Sequence, residues 1–304
     1  MGISVCRIAG PAVITLAFAC AAVSTMVGAG AAAAARQSGA AAGRPPDYPG
    51  YALVWSDEFD RAGVPDPKNW DYEHGFVRNR ELQWYTPENA RVSQGFLVIE
   101  ARRERVPNPQ FEARSNDWRR NREFAEYTSS SLITRGLHTW RYGRFEMRGR
   151  IDTRAGMWPA FWTLGATGGW PQGGEIDIME YYRGILLANV AWGGAKGFET
   201  VWATTRTPIE SFPAGWSAAF HVWRMDWDER AIVLSVDGQR LNDVELTRTV
   251  NGDGTGVNPF HQPQYLLVNL AIGGTQGGDP SGTQFPGRCE IDYVRVYQRP
   301  GAAR

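Results

Sequence analysis

The stretch GGEIDIMEYY, from Gly173 to Tyr182, carries three carboxylates at close spacing: Glu175, Asp177 and Glu180. Its apolar and acidic residues begin to alternate as in a half-buried strand, whose side chains switch faces at every residue. On that pattern Glu175 and Asp177 share a face, while Glu180, an odd step further, points to the other side. A β-bulge at Ile178 or Met179 adds the one residue that returns Glu180 to the face of its neighbours. The sequence therefore predicts three acids converging on one side of a sheet, and such bulges are enriched beside active sites.

A carboxylate pair is the minimum equipment for cutting a glycosidic bond. One group attacks or stabilises the anomeric carbon and the other protonates the leaving oxygen. Glu175 and Glu180 are the candidate pair, and a retaining mechanism asks for carboxyls roughly 5–5.5 Å apart. Like charges at such range push at least one pKa upward, which keeps an acid protonated near neutral pH. Asp177, between them, is placed to share a proton with Glu175. Taken alone, the acid string also reads as a solubilising sheet edge. The aromatics of GMWPAFWTLG and the following loop favour chemistry, because flat rings suit the C–H faces of sugars. Trp158, Trp162 and Trp170 are the groove candidates, with core packing the alternative for Phe161 and Trp162.

Other chemistries find little support. The four histidines, His74, His138, His221 and His261, are scattered without zinc-site spacing. No nucleophile elbow, Walker loop or dinucleotide glycine pattern occurs. The 304 residues carry 32 Lys+Arg against 32 Asp+Glu, so the net charge of zero gives no pull toward nucleic acid or an anionic membrane.

The elements that must position these residues read as strands. Short runs rich in β-branched and aromatic residues recur between turn residues: YALVWSDEF, FLVIEARR, YGRFEMRGRI, HVWRMDW, AIVLSVDG, YLLVNLAI and IDYVRVYQ. In RFEMRGRI, Phe145, Met147 and Ile151 alternate with Arg144, Glu146, Arg148 and Arg150. Asp237-Gly238 signals a tight hairpin turn. Without long amphipathic helices or βα alternation, the chain predicts an all-β fold, a sandwich in preference to a barrel.

The N-terminus differs from the rest. Arg7 precedes a long apolar run that ends in small residues, the pattern of a secretory signal over residues 1–36. Its removal would take Cys6 and Cys20 and leave Cys289 alone, a buried small apolar residue with no disulfide partner. Residues 37–49 read as a flexible leader and residues 50–299 as one catalytic domain. The expected product is extracellular or periplasmic, off the membrane after cleavage, and monomeric.

From LVWSDEFD through NRELQWYTPENARVSQGFLVIEAR, EYTSSSLITRG, YGRFEMRGRI, GMWPAFWTLG and GEIDIMEYY to IDYVRVYQ, the chain resembles glycoside hydrolase family 16, the laminarinase and lichenase group. The resemblance implies a β-jelly-roll sandwich of two curved antiparallel sheets with a concave substrate cleft. It implies Glu175 as nucleophile, Asp177 as its orienting partner and Glu180 as acid/base. It places Asn79 against sugar on the non-reducing side of the cut and Trp158 near the scissile bond. It also implies a structural Ca²⁺ held by Glu58, Asp292 and the Gly95 carbonyl, oxygen ligands that suit this ion. No cofactor is required for catalysis.

Departures fall where substrate would bind. Ser131 stands in YTSSSL where relatives often have Arg, Arg80 replaces a frequent Asn, and LLANVAWGG, with Asn189 and Trp192, replaces a His-containing segment. The sequence thus predicts a secreted retaining endo-glycosidase acting on β-1,3- or mixed β-1,3-1,4-glucan. The alternatives are a hydrolase or transglycosylase on another polymer such as a β-galactan, and a non-catalytic carbohydrate-binding sandwich.

Overall fold

The computed structural model of the chain describes Gly43 and residues 45–301. The signal segment, with Cys6 and Cys20, and most of the leader lie outside the described residues.

Among the described residues nineteen strands follow in chain order. The first nine are β1 (Ala52–Asp57), β2 (Asp71–Tyr72), β3 (Gln83–Tyr85), β4 (Ala90–Ser93), β5 (Phe96–Ala101), β6 (Val106–Pro107), β7 (Phe124–Ala125), β8 (Tyr127–Ser129) and β9 (Ser131–Ile133). Then come β10 (Gly143–Arg150), β11 (Met157–Gly165), β12 (Glu175–Tyr182), β13 (Ile185–Gly193) and β14 (Thr200–Pro208). The last are β15 (His221–Trp227), β16 (Ala231–Val236), β17 (Gln239–Glu245), β18 (Gln264–Ile272) and β19 (Gly287–Gln298). The only α-helix among the described residues is the four-residue turn Gly274–Gly277.

Two large antiparallel sheets make the jelly-roll sandwich. The cleft sheet has seven strands in the order β14-β13-β12-β11-β18-β9-β2. The outer sheet has eight, β17-β16-β15-β10-β19-β5-β4, with β1 added against β19. The main core lies between them. From the outer sheet it takes Phe145, Met147, Trp223, Met225 and Val294, and from the cleft sheet Phe161, Ile176, Val190 and Val268. The period-2 pattern of the sequence is what sorts these residues inward.

The outward face of β10 is not simply hydrated. Arg144 and Glu146 sit directly opposite Asp226 and Arg224 on β15, and both pairs form salt bridges. Cross-strand pairs of opposite charge are the sheet counterpart of helical i,i+4 pairs. At the β16–β17 turn Asp237 and Gly238 have φ of 48° and 80°, the positive values a two-residue hairpin requires. Cys289 is a buried free thiol, pushed up to about 12 by that burial.

Within residues 37–49, expected to be a flexible leader, Tyr48 is seated on the outer sheet. Its hydroxyl donates to Glu146 Oε1 at 2.8 Å, and its ring meets that of Tyr297 edge-on at 5.1 Å. An amphipathic ring with a buried carboxylate to bond is a reason to dock that the small-residue composition around it concealed.

Candidate active site

The cleft lies on the open face of the seven-stranded sheet, and strand register builds its floor. Leu164, Glu175, Ala191 and Trp202 form one row across β11, β12, β13 and β14. Trp162, Asp177, Asn189 and Thr204 form the next, and Ala160, Glu180, Leu187 and Arg206 a third. From Asp177 to Glu180 is three residues on β12, but the partners step only two, from Asn189 to Leu187. That surplus is the expected bulge. On the β11 side Trp162 pairs with Asp177 and Phe161 with Met179, so Ile178 is the inserted residue. Ile178 and Met179 both enter the core, which turns Glu180 back beside Glu175 and Asp177.

Gly174 sets the entry to β12. Its φ is +79°, and an added Cβ would meet Phe260 Cε1 and Pro259 Cβ at 2.9 Å. Only glycine tolerates both the angle and the approach.

Neutral donors hold the acids. Trp170 Nε1 donates to Glu175 Oε2 at 2.5 Å, and Trp158 Nε1 donates to Glu180 Oε1 at 2.8 Å. Asn189 Nδ2 donates to Asp177 Oδ2 at 2.9 Å and to Glu180 Oε2 at 3.1 Å. None of the three acids joins a salt bridge recorded among the described residues. Burial, which penalises a charged carboxylate, pushes Glu175 up to about 7 against the pull of the Trp170 bond. Burial and the charge of Asp177 push Glu180 up to about 8. Asp177 is raised well above the usual range by burial and by Glu175, with which it shares a hydrogen bond. The arrangement supplies one carboxylate ready to attack and one acid ready to donate.

The cleft encloses about 800 Å³ and brings together Asn79, Trp158, Trp162, Trp170 and Asn189 with the acids. Trp162 faces the cleft while Phe161 joins the core, which resolves that alternative by strand parity. Two expectations fail. Trp192 packs in the main core with Leu186, Ala188 and Val190, because on β13 the even positions face inward and Leu187, Asn189 and Ala191 face the cleft. Arg80 is exposed and does not line the cleft. Its contribution is through the backbone: Asn79 and Arg80 have φ of 54° and 51°, in a turn whose carbonyls accept from Thr275 and Arg122.

Sequence reading missed Arg78, Tyr182, Trp202, Thr204 and Arg206. The last three follow from strict alternation along β14, a signal present in TVWATTRTP. Arg78 has no such signal. It pairs with Glu73, which accepts from Ser131 Oγ at 2.7 Å, and its guanidinium lies 4.9 Å from the Trp162 ring centre. The Ser131 departure thus belongs to a chain that ends over an aromatic of the cleft.

The two carboxylates expected to hold calcium are otherwise engaged. Glu58 is bonded by Arg295 at 2.6 and 2.9 Å, Asp292 pairs with Arg148, and Gly95 has the positive φ of a tight turn. Among the described residues no three His, Cys, Asp or Glu side chains group as a metal site. With guanidinium groups on both carboxylates the donor set, as it stands, does not fit a cation.

Comparisons with known proteins agree with this geometry. Residues 83–295 match the model of the glycosyl hydrolases family 16. The chain is 39% identical to a β-glucanase of Rhodothermus marinus over 82% of its own length and 86% of that protein. Among solved structures it is similar to the catalytic domain of an endo-1,3-β-glucanase (laminarinase) from Thermotoga petrophila, with TM-score 0.68, 35% identity, and 83% and 99% of the two chains covered. A second comes from work on endo-acting O-glycanases expressed by prominent members of the human gut microbiota to initiate mucin breakdown. There the TM-score is 0.78 with 34% identity over 85% and 95% of the two chains.

Proposed function

The chain belongs to glycosyl hydrolase family 16 and is a glycoside hydrolase; on that premise we propose that it is a secreted, retaining endo-glycosidase that cuts β-1,3- or mixed β-1,3-1,4-glucan. The observation that carries the proposal is the bulge at Ile178, which sets Glu175, Asp177 and Glu180 together on the cleft floor. Glu175 attacks the anomeric carbon as Glu180 protonates the departing glycosidic oxygen. Glu180, now ionised, takes a proton from water, which displaces Glu175 and restores the starting state. Asp177 holds Glu175 through their shared proton. Trp158 and Trp170 place indole N–H groups on the two reacting carboxyls and line the cleft. The R. marinus and T. petrophila relatives support a glucan as substrate. Two carboxylates and water suffice, so this reading calls on no cofactor.

A second reading, a different β-linked polymer such as a galactan or a mucin-type glycan, is favoured by two observations. The Arg78–Glu73–Ser131 chain sets a guanidinium over Trp162 in the cleft. The O-glycanase-related structure also superposes with the higher TM-score. Transfer to a sugar acceptor instead of water belongs to the same reading.

The test is reducing-end release by the mature protein on β-1,3-glucan, mixed-linkage glucan, agarose, carrageenan, β-galactan and mucin O-glycan, with Glu175→Gln as blank. Cutting of a glucan alone is the expected result. Cutting of a galactan or mucin glycan alone selects the second reading, and binding without cutting selects a carbohydrate-binding sandwich. Mass spectrometry of the exported protein reports whether the chain begins near residue 37, as the secretory reading requires.

A further inference from the structure

Asn189 was expected to touch sugar, and the cleft does include it. Its polar atoms are spent elsewhere. Both hydrogens of Nδ2 are committed, one to Asp177 Oδ2 at 2.9 Å and one to Glu180 Oε2 at 3.1 Å. Its Oδ1 is shut off from solvent and has no partner. The residue is 3% exposed, so nothing polar is left to offer a ligand.

We infer that Asn189 is a positioning residue, not a sugar ligand: its side-chain amide fastens the acid/base carboxyl of Glu180 to Asp177 across the bulge. This deepens the proposal above and rests on its assignment of Glu180. The geometry follows from register. Asn189 is the ladder partner of Asp177, and the bulge displaces Glu180 to pair with Leu187, one step along β13. A group that bonds both acids from position 189 must offer two N–H bonds. The primary amide of asparagine does, and the carboxylate of aspartate has none. Turning the amide over would set Oδ1 against two carboxylate oxygens, so the orphaned acceptor is the cost of the bridge.

With Trp158 on Oε1 and Asn189 on Oε2, both oxygens of Glu180 are held by fixed donors. The carboxyl plane is therefore set before substrate arrives, and fixed donors favour the ionised form that Glu180 passes through after each proton transfer. The titratable and charged groups that face Glu180 are Glu175, Asp177 and Tyr182 on its own strand and Arg206 on β14, beside the neutral donors Trp158 on β11 and Asn189 on β13. Asp177 opposes ionisation of Glu180, and Trp158, Asn189 and Arg206 favour it.

The test compares the full chain with Asn189→Ala and Asn189→Asp. The ¹³C titration of the Glu180 carboxyl is followed in each, its signal assigned by its absence in Glu180→Gln. Removal of the N–H donors raises the Glu180 midpoint by about half a unit or more in both variants. On the polymer that is cut, kcat falls about tenfold or more, KM stays within about twofold, and the alkaline limb of the pH profile moves up. An unmoved midpoint overturns the inference, and a rise in KM with an unmoved alkaline limb makes Asn189 a sugar ligand. The titration needs no substrate, so it judges Asn189 even if every polymer in the panel is left intact. Two variants are used because the alanine leaves a void and the aspartate adds a charge, and either alone could perturb folding.

Discussion

Both sheets bury carboxylates, and they treat them in opposite ways. On the outer sheet Glu100 has Arg91, Arg102 and Arg288 around it, Glu146 has Arg224, and Asp292 has Arg148. The bond from Arg91 leads in holding the Glu100 carboxyl down to about 2. On the cleft sheet the three acids meet neutral indole and amide N–H groups, and burial raises all of them. The outer sheet neutralises its charges and gains cross-strand pairing. The cleft sheet leaves Glu175 and Glu180 close to their protonation midpoints near neutral pH, where an acid can give and recover a proton at modest cost.

That contrast can be broken at either sheet. The largest effect belongs to the cleft: Glu175→Gln or Glu180→Gln lowers kcat by about a thousandfold or more, with circular dichroism unchanged. On the outer sheet Glu146→Gln leaves the Arg224 charge without its partner. It destabilises the fold by about 3 kcal/mol, or roughly 6–12 °C in Tm, while kcat of the folded protein is unchanged.

The two sheets also predict stability effects of opposite sign with pH. Glu100 has a depressed folded pKa, so its contribution is complete above the ordinary carboxylate range and is lost as pH falls through about 2. Glu180 has a raised folded pKa, so its contribution is complete below that range and is lost as pH rises through about 8. Glu180→Gln therefore raises Tm by a few degrees (~2–6 °C) at pH 9 and changes it little at pH 4. A lower Tm at pH 9 would mean that Glu180 stabilises the fold as a charge. Activity should peak between about 7 and 8, where Glu175 is ionised and Glu180 still protonated. The smallest effect concerns calcium: with Glu58 and Asp292 bonded to Arg295 and Arg148, EDTA shifts Tm by about a degree or less. A drop of several degrees would mean that a cation displaces those arginines.

The strands, the sandwich and the acid cluster were legible in the sequence because each rests on period-2 alternation or on its single interruption at Ile178. The same rule, applied to β13 and β14, would have sent Trp192 to the core and Trp202, Thr204 and Arg206 to the cleft. β14 was passed over because no acid drew attention to it, and LLANVAWGG on β13 was read for its residue types and not for its alternation. Arg78 and the role of Asn189 were not legible. The first depends on a turn with two consecutive left-handed residues, Asn79 and Arg80, and the second on a diagonal contact that exists only once the bulge has formed. Tyr48 was hidden in the same way, since its partners Glu146, Arg224 and Tyr297 lie far along the chain.

The most direct test of the central claim is the configuration of the first-formed product, followed by ¹H NMR as the wild-type protein cuts its polymer. Double displacement through Glu175 predicts that the new reducing end appears first as the β-anomer and only later mutarotates. Prompt appearance of the α-anomer would contradict the account, because water would then have attacked directly and Glu175 would not be the nucleophile.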